Sequence, residues 1–554
     1  MKNLLPLKSD TTMNTPIINI KTQKAVIKKW TMRLSAVCLI SSAMLFTSCD
    51  DYLDTLPDNR MELSSPDEVS KLLVSAYSSI HPAYLLEMYS DNTDEYDNAS
   101  WVDAGRFQEQ AYRWRDITET QDYETPSNIW TEEYLKIETA NNAIVYIESL
   151  SEAEQKNYSA QLGEALLCRA YAMFSLSTVF CHAYDEATAA TDLGLPYPEK
   201  PQEKVGEEFE RGTLAELYQK IAADIERGLP LLSNNYAQPK FHFTRSAANA
   251  FAARFYLYYH QYEKAVDYAT AVLGSHPASL LRDWATFAGM SLSDGMVQEN
   301  EYISSSNNAN LLLQVTYSEW GFVAGPYGWG ARYAHGDLIS KGETIMSEGV
   351  WGNSNDRTGR GFNYQVFYTG SLSKYFIPKI PMKAEYTDIQ AGIGFPHRVM
   401  AVFTTDETLM VRAEAEALLG HYDAAVADIN AELSVFHSQG VQVTLDDIRN
   451  YYGSLRYYTP TSPTPRKQLN TSFTLDATQE ALLQCILQLR RILTIHDGLR
   501  LQDVKRYGIK IYRRRLDAGQ NIKEVTDSLL PRDPRCAIQL PFDVIEAGLE
   551  RNPR

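Results

Sequence analysis

Ala253-Arg-Phe-Tyr256-Leu-Tyr-Tyr-His-Gln-Tyr262-Glu-Lys-Ala265, running on to Pro277, is the stretch that decides the fold. Small side chains at Ala253 and Ala265 let two helices approach closely, Tyr256 stands at an aromatic place, Tyr262 plugs the adjoining groove, and Pro277 ends the unit. These are the places where a tetratricopeptide helix pair puts its small, aromatic and terminating residues. A second such pattern stands at Ala413, Gly420, Tyr422 and Ala425, with Glu416 where an aromatic is usual. The two units lie far apart in sequence. The spacing therefore predicts helix pairs packed into one scaffold that a large insertion interrupts, not a simple tandem array.

Amphipathic helix also dominates upstream. Between Gln161 and Cys181, apolar residues fall at Leu162, Leu166, Ala170, Met173, Leu176 and Phe180, at spacings of three and four. Thr213 to Leu229 repeats the pattern with Leu214, Leu217, Ile221, Ile225 and Leu229, behind an N-cap-like Thr213 with Glu216 three residues on. Asn128 to Leu150 puts Trp130, Tyr134, Ile137, Ala140, Ile144 and Ile147 on one face. The fold class expected is mainly α: a tetratricopeptide-like scaffold with a loop-rich insertion. Its parts are a helical region over 61–300, the insertion over 301–400 and a second helical region over 401–554.

The insertion holds 13 of the 29 glycines of the chain and shows little helical periodicity. Its densest part reads Trp320-Gly-Phe-Val-Ala-Gly-Pro-Tyr327-Gly-Trp329-Gly-Ala-Arg332-Tyr333. Glycines permit turns that helices forbid, and rings between them can be turned outward. Long structured loops in compact domains are usually functional. A sugar ring stacks its apolar C–H face on a flat aromatic and needs hydrogen-bonding groups at its edge. Trp101, Trp320, Tyr327, Trp329 and Trp351 are the stacking candidates, with Tyr333 beside them. Asp91, Asn92 and Arg332 are the polar candidates. The alternative is that these rings fill the core of a large loop, in which case Tyr89 and Tyr96 come next.

The chain has 554 residues, 35 of them tyrosine, and a formal net charge of −18. Residues 1–48 carry Lys2, Lys8, Lys21, Lys24, Lys28, Lys29 and Arg33 against one acid, Asp10, so the remainder is more acidic still. A body of that charge repels phosphate backbones, and nucleic acid is excluded as a partner class. The basic residues precede a short apolar run, Leu34 to Phe46, and then Thr47-Ser48-Cys49, the order of a secretory signal. Cys49 after small residues looks like a bacterial lipobox, whose cysteine becomes the lipidated first residue; cleavage by ordinary signal peptidase nearby is the alternative. Residues 1–48 are thus the expected signal, with Met13 and Met32 as candidate starts besides Met1, and 49–60 an acidic tether led by Asp50 and Asp51. Cys168, Cys181, Cys485 and Cys536 show no CxxC spacing. Buried free thiols are expected, at least for Cys168 and Cys181 in apolar helical sequence.

Taken in order, these pieces resemble the SusD/RagB family of starch-utilisation-type outer-membrane lipoproteins. The resemblance is carried by Cys49-Asp-Asp-Tyr-Leu53-Asp-Thr-Leu-Pro57, by Pro66 with Leu73-Val-Ser-Ala-Tyr77, and by Trp130-Thr-Glu-Glu-Tyr134 with Ala140-Asn-Asn-Ala-Ile144. It continues through Gly163-Glu-Ala165 with Arg169-Ala-Tyr171 and Phe174, Gly194-Leu-Pro196, Thr244 with Ala247-Ala248, Arg254 and Tyr256, and Arg412-Ala-Glu-Ala415 with Ile429-Asn430. Leu489, Asp497 and Leu501 depart from the family's closing helix, where Glu, Glu and Trp are usual; altered packing and an altered ion-pair network are expected there. The acidic pair after Cys49 resembles the surface-export signal of Bacteroidota lipoproteins. The resemblance implies a lid that captures an oligosaccharide and closes it over a SusC-like TonB-dependent transporter, anchored to the cell outer membrane by its N-terminal lipid. It carries over no site residue, because ligand sites in the family lie in divergent loops.

No catalytic signature competes. HExxH, GxSxG and a phosphate loop are missing from the sequence, and Gly328-Trp-Gly330 and Gly359-Arg-Gly361 lack the third glycine of a dinucleotide fingerprint. The ten histidines have no metal-ligand spacing. The reading is therefore a non-enzymatic binder without cofactor. A glycoside hydrolase with two acids brought together by folding, and a helical scaffold that binds a peptide or protein, are the alternatives.

Overall fold

The helices form where local chemistry starts and stops them. In the computed structural model, which describes residues 63–97, 105–202, 209–292, 296–324, 332–369, 374–381 and 383–554, the longer helices are α1 (Pro66–Val74), α2 (Pro126–Ser149), α3 (Ser159–Phe180), α4 (Leu214–Gly228), α5 (Arg245–Tyr258), α6 (Tyr262–Leu273), α7 (Thr405–Leu419), α8 (Tyr422–Phe436), α9 (Leu445–Ser454) and α10 (Ala477–Leu493). Thr213 and Glu216 form the expected capping box of α4, and Thr404 caps α7 through the Glu407 amide. Gly420 ends α7 in the left-handed region at φ 81°, which glycine reaches without strain. The expected signal, Cys49 and the acidic tether lie outside the described residues, as do Trp101, Tyr327 and Trp329.

Leu63–Arg554 pack as one unit. α2 packs on α3 and α3 on α4; α5 pairs with α6, α6 lies on α7, and α7 pairs with α8 and α10. The two tetratricopeptide-like pairs, far apart in sequence, are thus neighbours in space, and the residues between α6 and α7 form the insertion that separates them in the chain. Ala253, Ala265, Ala413 and Ala425 are fully buried at these contacts. α3 and α4 approach closely, and a Cβ added at Gly228 would come within 2.4 Å of Leu167 Cδ2 and 3.0 Å of the Gly163 carbonyl oxygen.

The arginines of the family-like motifs join successive helices. Arg169 of α3 grips Asp224 of α4 with two bonds of 2.6 and 2.7 Å. Arg254 of α5 grips Glu407 of α7 with two of 3.0 Å, and Arg412 of α7 grips Asp428 of α8 at 2.8 and 2.7 Å. Each pair is buried, so the second partner supplies what water would otherwise give the first. Glu414 receives Arg490, the Tyr507 hydroxyl and Arg506 at 2.7 Å. Burial pushes its carboxyl up, but Arg490 and Arg506 outweigh that and hold it below the usual range. The closing region thus carries a buried ion-pair network of Arg490, Arg506, Glu414 and Asp503, and Leu489 and Leu501 are fully buried. Cys168, Cys181, Cys485 and Cys536 are free and buried.

The insertion is more regular than its glycines imply. A three-stranded antiparallel sheet runs β2 (Asn310–Tyr317), β6 (Ile393–Thr404), β5 (Lys383–Asp388) in that spatial order, and β6 leads directly into α7. A second sheet gathers three distant parts of the chain in the order β8 (Ile522–Leu529), β7 (Ile511–Leu516), β1 (Asp94–Tyr96), β3 (Tyr333–Ala334). Isolated two- and three-residue strands carry no periodicity that a sequence window can register.

Candidate functional site

β1 and β3 are antiparallel, with Asp94 opposite Ala334 and Glu95 opposite Tyr333. The Tyr96 amide donates to the Arg332 carbonyl at 2.7 Å. The chain leaves β1 at Asp97 on the side where it enters β3 at Arg332. The sequence segments carrying Trp101 and carrying Tyr327 and Trp329 are therefore attached at one end of this sheet. At that end Glu95 Oε1 accepts from Arg332 Nε (3.1 Å) and a terminal nitrogen (2.8 Å), and from Arg113 at 2.8 Å. Glu95 is buried while the Arg332 side chain is 38% exposed, so a fixed carboxylate holds a guanidinium edge toward solvent. Arg332 is the polar candidate that stays accessible. Tyr333 is not: its ring is buried and stacks on Tyr112 at 4.6 Å.

Two expected stacking rings lie in the core. Trp320 is only 5% exposed, lies face to face with Tyr84 at 4.8 Å, and donates its indole N–H to the His496 carbonyl at 2.9 Å. Trp351 is 4% exposed, packs on Phe362 at 5.2 Å and donates to Ser354 Oγ at 3.2 Å. Indoles are large enough that a covered apolar pocket outcompetes solvent whenever their N–H finds an acceptor, as both do here. Asp91 and Asn92 are also buried rather than presented. Asp91 accepts two bonds from Arg500 at 2.7 and 2.9 Å, and Asn92 Oδ1 accepts from Arg491 at 2.8 Å. They anchor the turn before β1 to α10 and to the short helix Arg500–Arg506. The reserve candidates Tyr89 and Tyr96 are buried too.

The exposed aromatics lie elsewhere. On the outer face of the β2–β6–β5 sheet, Tyr317 is 40% and Phe395 42% exposed. Half-buried Tyr123 stacks on Tyr317 at 6.0 Å, and Phe395 meets Tyr317 edge to face at 5.8 Å. The result is a three-ring strip beside Asp122 and Glu319. Burial raises both carboxyls above their ordinary values, with the charge of Glu119 adding to it at Asp122 and the charge of Asp122 adding to it at Glu319. Sequence reasoning passed over this strip because Tyr317 sits in the alternating run Val315-Thr316-Tyr317, which marks which residues share a face but not whether that face is covered. Trp320, three residues beyond Tyr317, packs on Tyr84, Tyr84 packs on Phe107 at 5.2 Å, and Phe107 lies on the same short helix, Arg106–Tyr112, as the Tyr112 that meets Tyr333.

Residues 51–257 match the family model described as SusD-like, starch-binding associating with outer membrane. The fold matches along nearly the whole chain. A SusD superfamily protein from Bacteroides thetaiotaomicron aligns over 89% of this chain and 100% of its own with a TM-score of 0.59 at 17% identity. The chain has a SusD-like fold. A SusD-like carbohydrate-binding protein from Bacteroides vulgatus is similar at 13% identity, covering 87% of this chain and 96% of its own with a TM-score of 0.54. A laminarin-binding SusD-like protein is similar at 15% identity, with 88% and 99% covered and a TM-score of 0.53. No curated protein matches the sequence. Among the described residues no helix is long and apolar enough to cross a membrane.

Proposed function

We propose that this SusD-like chain is a glycan-binding lipoprotein of the cell outer membrane, anchored through Cys49, that captures oligosaccharides and passes them to a SusC-like TonB-dependent transporter. The reading rests on one observation above the rest: a fold shared over its length with proteins described as binding carbohydrate and laminarin, combined with an exposed strip of aromatic rings on a rigid sheet. Rings of this kind stack on the apolar faces of successive sugars, while Asp122, Glu319 and Arg332 meet hydroxyls at the edge. Trp101, Tyr327 and Trp329 remain proposed contacts, since their segments attach beside Arg332. Neither capture nor transfer needs a cofactor.

A glycan array followed by calorimetry on the best ligand tests the reading. Saturable binding of an oligosaccharide that is recovered uncleaved supports it. Released product would instead favour a hydrolase built on Asp122 and Glu319. Absence of any glycan binding, with a protein or peptide retained, would favour a peptide-binding scaffold.

A further inference from the structure

Behind the β1–β3 pair lies a cavity of about 20 Å³, lined by Glu87, Trp320, Val323, His335, Lys374 and His496 among others. That is more than one water molecule requires. Its polar lining is unbalanced. Lys374, on the short strand Lys374–Phe376, is buried, and its ammonium donates to the Val323 carbonyl. An ammonium carries three N–H groups, so two remain for the cavity. Among the described residues no carboxylate forms an ion pair with it, and burial alone pushes it down to about 8. The adjoining segments 325–331 and 370–373 contain no Asp or Glu.

The other lining groups do not supply the missing negative charge. His496 is buried, and its Nε2 has no hydrogen-bond partner among the described residues. His335 is committed: Nδ1 donates to the Asn92 carbonyl at 2.9 Å and Nε2 meets Thr344 Oγ1 at 2.7 Å. Glu87 already accepts from Asn92 Nδ2 at 2.9 Å and from the Gly498 amide at 3.0 Å, and burial pushes its carboxyl up to about 7. Among the described residues the cavity therefore presents a buried ammonium with no ion-pair partner and an imidazole nitrogen with no hydrogen-bond partner, beside a Glu87 carboxyl that is engaged elsewhere. A buried cation without a counter-charge is strongly unfavourable.

We propose that this cavity is a binding site for a small monovalent anion of the halide class, held between Lys374 Nζ and His496 Nε2. The anion neutralises the ammonium and, through the Val323 carbonyl, braces the end of the short helix Trp320–Ala324. The site is independent of the glycan reading.

Thermal unfolding of the purified protein in sodium chloride, sodium bromide and sodium gluconate at equal ionic strength tests it, together with anomalous diffraction from crystals grown in bromide. The expected result is a melting temperature that rises saturably with chloride or bromide but not with gluconate, and an anomalous peak within hydrogen-bond distance of Lys374 Nζ. The isosteric variant Lys374→Met, which removes the charge and keeps the stem, abolishes the halide dependence. Wild-type protein alone decides the matter should that variant fail to fold. Equal melting curves in all three salts, or bromide peaks only at other positions, overturn the proposal and leave a water in the cavity.

Discussion

Glu407→Ala is the perturbation whose cost the structure defines best. Glu407 and Arg254 have side chains only 5% and 6% exposed, and their two 3.0 Å bonds join α5 to α7 across the whole insertion. Arg254 also donates to the Val402 carbonyl at 2.8 Å and lies over the Phe403 ring at 4.3 Å. Removing the carboxylate leaves the guanidinium buried, with the Val402 carbonyl as its remaining acceptor among the described residues. An uncompensated buried charge of this kind costs about 3–5 kcal/mol. The paired replacement Arg254→Met with Glu407→Leu removes both charges and keeps the volume, so it should cost far less, and cycles of this kind can even be stabilising by about 1–4 kcal/mol. Urea denaturation of the wild type, the two single variants and the double variant measures the coupling directly. Single variants that unfold at the wild-type urea concentration would falsify the assignment of this pair as the clamp between the two helical halves.

The strip predicts that Tyr317→Ala weakens oligosaccharide binding by about 2- to 13-fold, from stacking worth about 0.5–1.5 kcal/mol, with unchanged circular dichroism; unchanged affinity in calorimetry would move the site. Trp320→Ala should behave oppositely and lower stability by about 3–5 kcal/mol, as loss of a buried indole does, and a melting temperature equal to wild type would contradict its place in the core. Arg332→Ala should reduce glycan affinity with little change in melting, because a partly exposed ion pair contributes about 0–1 kcal/mol. Burial raises Glu87 to about 7 and Glu124 and Glu133 to about 8 from 4.5, so the folded state holds protons that the unfolded chain has lost. Stability from these groups is present at low pH and declines from about pH 4.5 up to about 8. His81, half-buried, and His335, buried, are lowered to about 3 and 4 from 6.5 and act in the opposite sense, but their effect is complete by about pH 6.5. Denaturation midpoints should therefore fall between pH 6.5 and 8, and Glu124→Gln should flatten the fall; a flat wild-type profile would contradict it. Cys49→Ala should release the protein from the membrane fraction, and unchanged retention would count against the lipid anchor.

Sequence alone determined the helices and their buried faces. The alternation of apolar residues at three and four, the Thr213–Glu216 box and Gly420 all act within a turn or two, so each can be read without knowing the rest of the chain. It also marked Arg169, Arg254 and Arg412 as members of recurring motifs, and the small residues at Ala253 and Ala413 as helix contacts. Only the tertiary structure decided what those residues meet: Asp224, Glu407 and Asp428, the second of them 153 positions from Arg254. The same holds for the ligand surface. Trp320, Trp351, Tyr333, Asp91 and Asn92 have the chemistry of a sugar site, but Tyr84, Phe362, Tyr112, Arg500 and Arg491 reach them from elsewhere in the chain and cover them. Tyr317, in an unremarked strand, is left in the open. A side chain's character is local and can be read in the sequence, whereas its exposure depends on which distant segment packs over it, and that is settled only when the chain has folded.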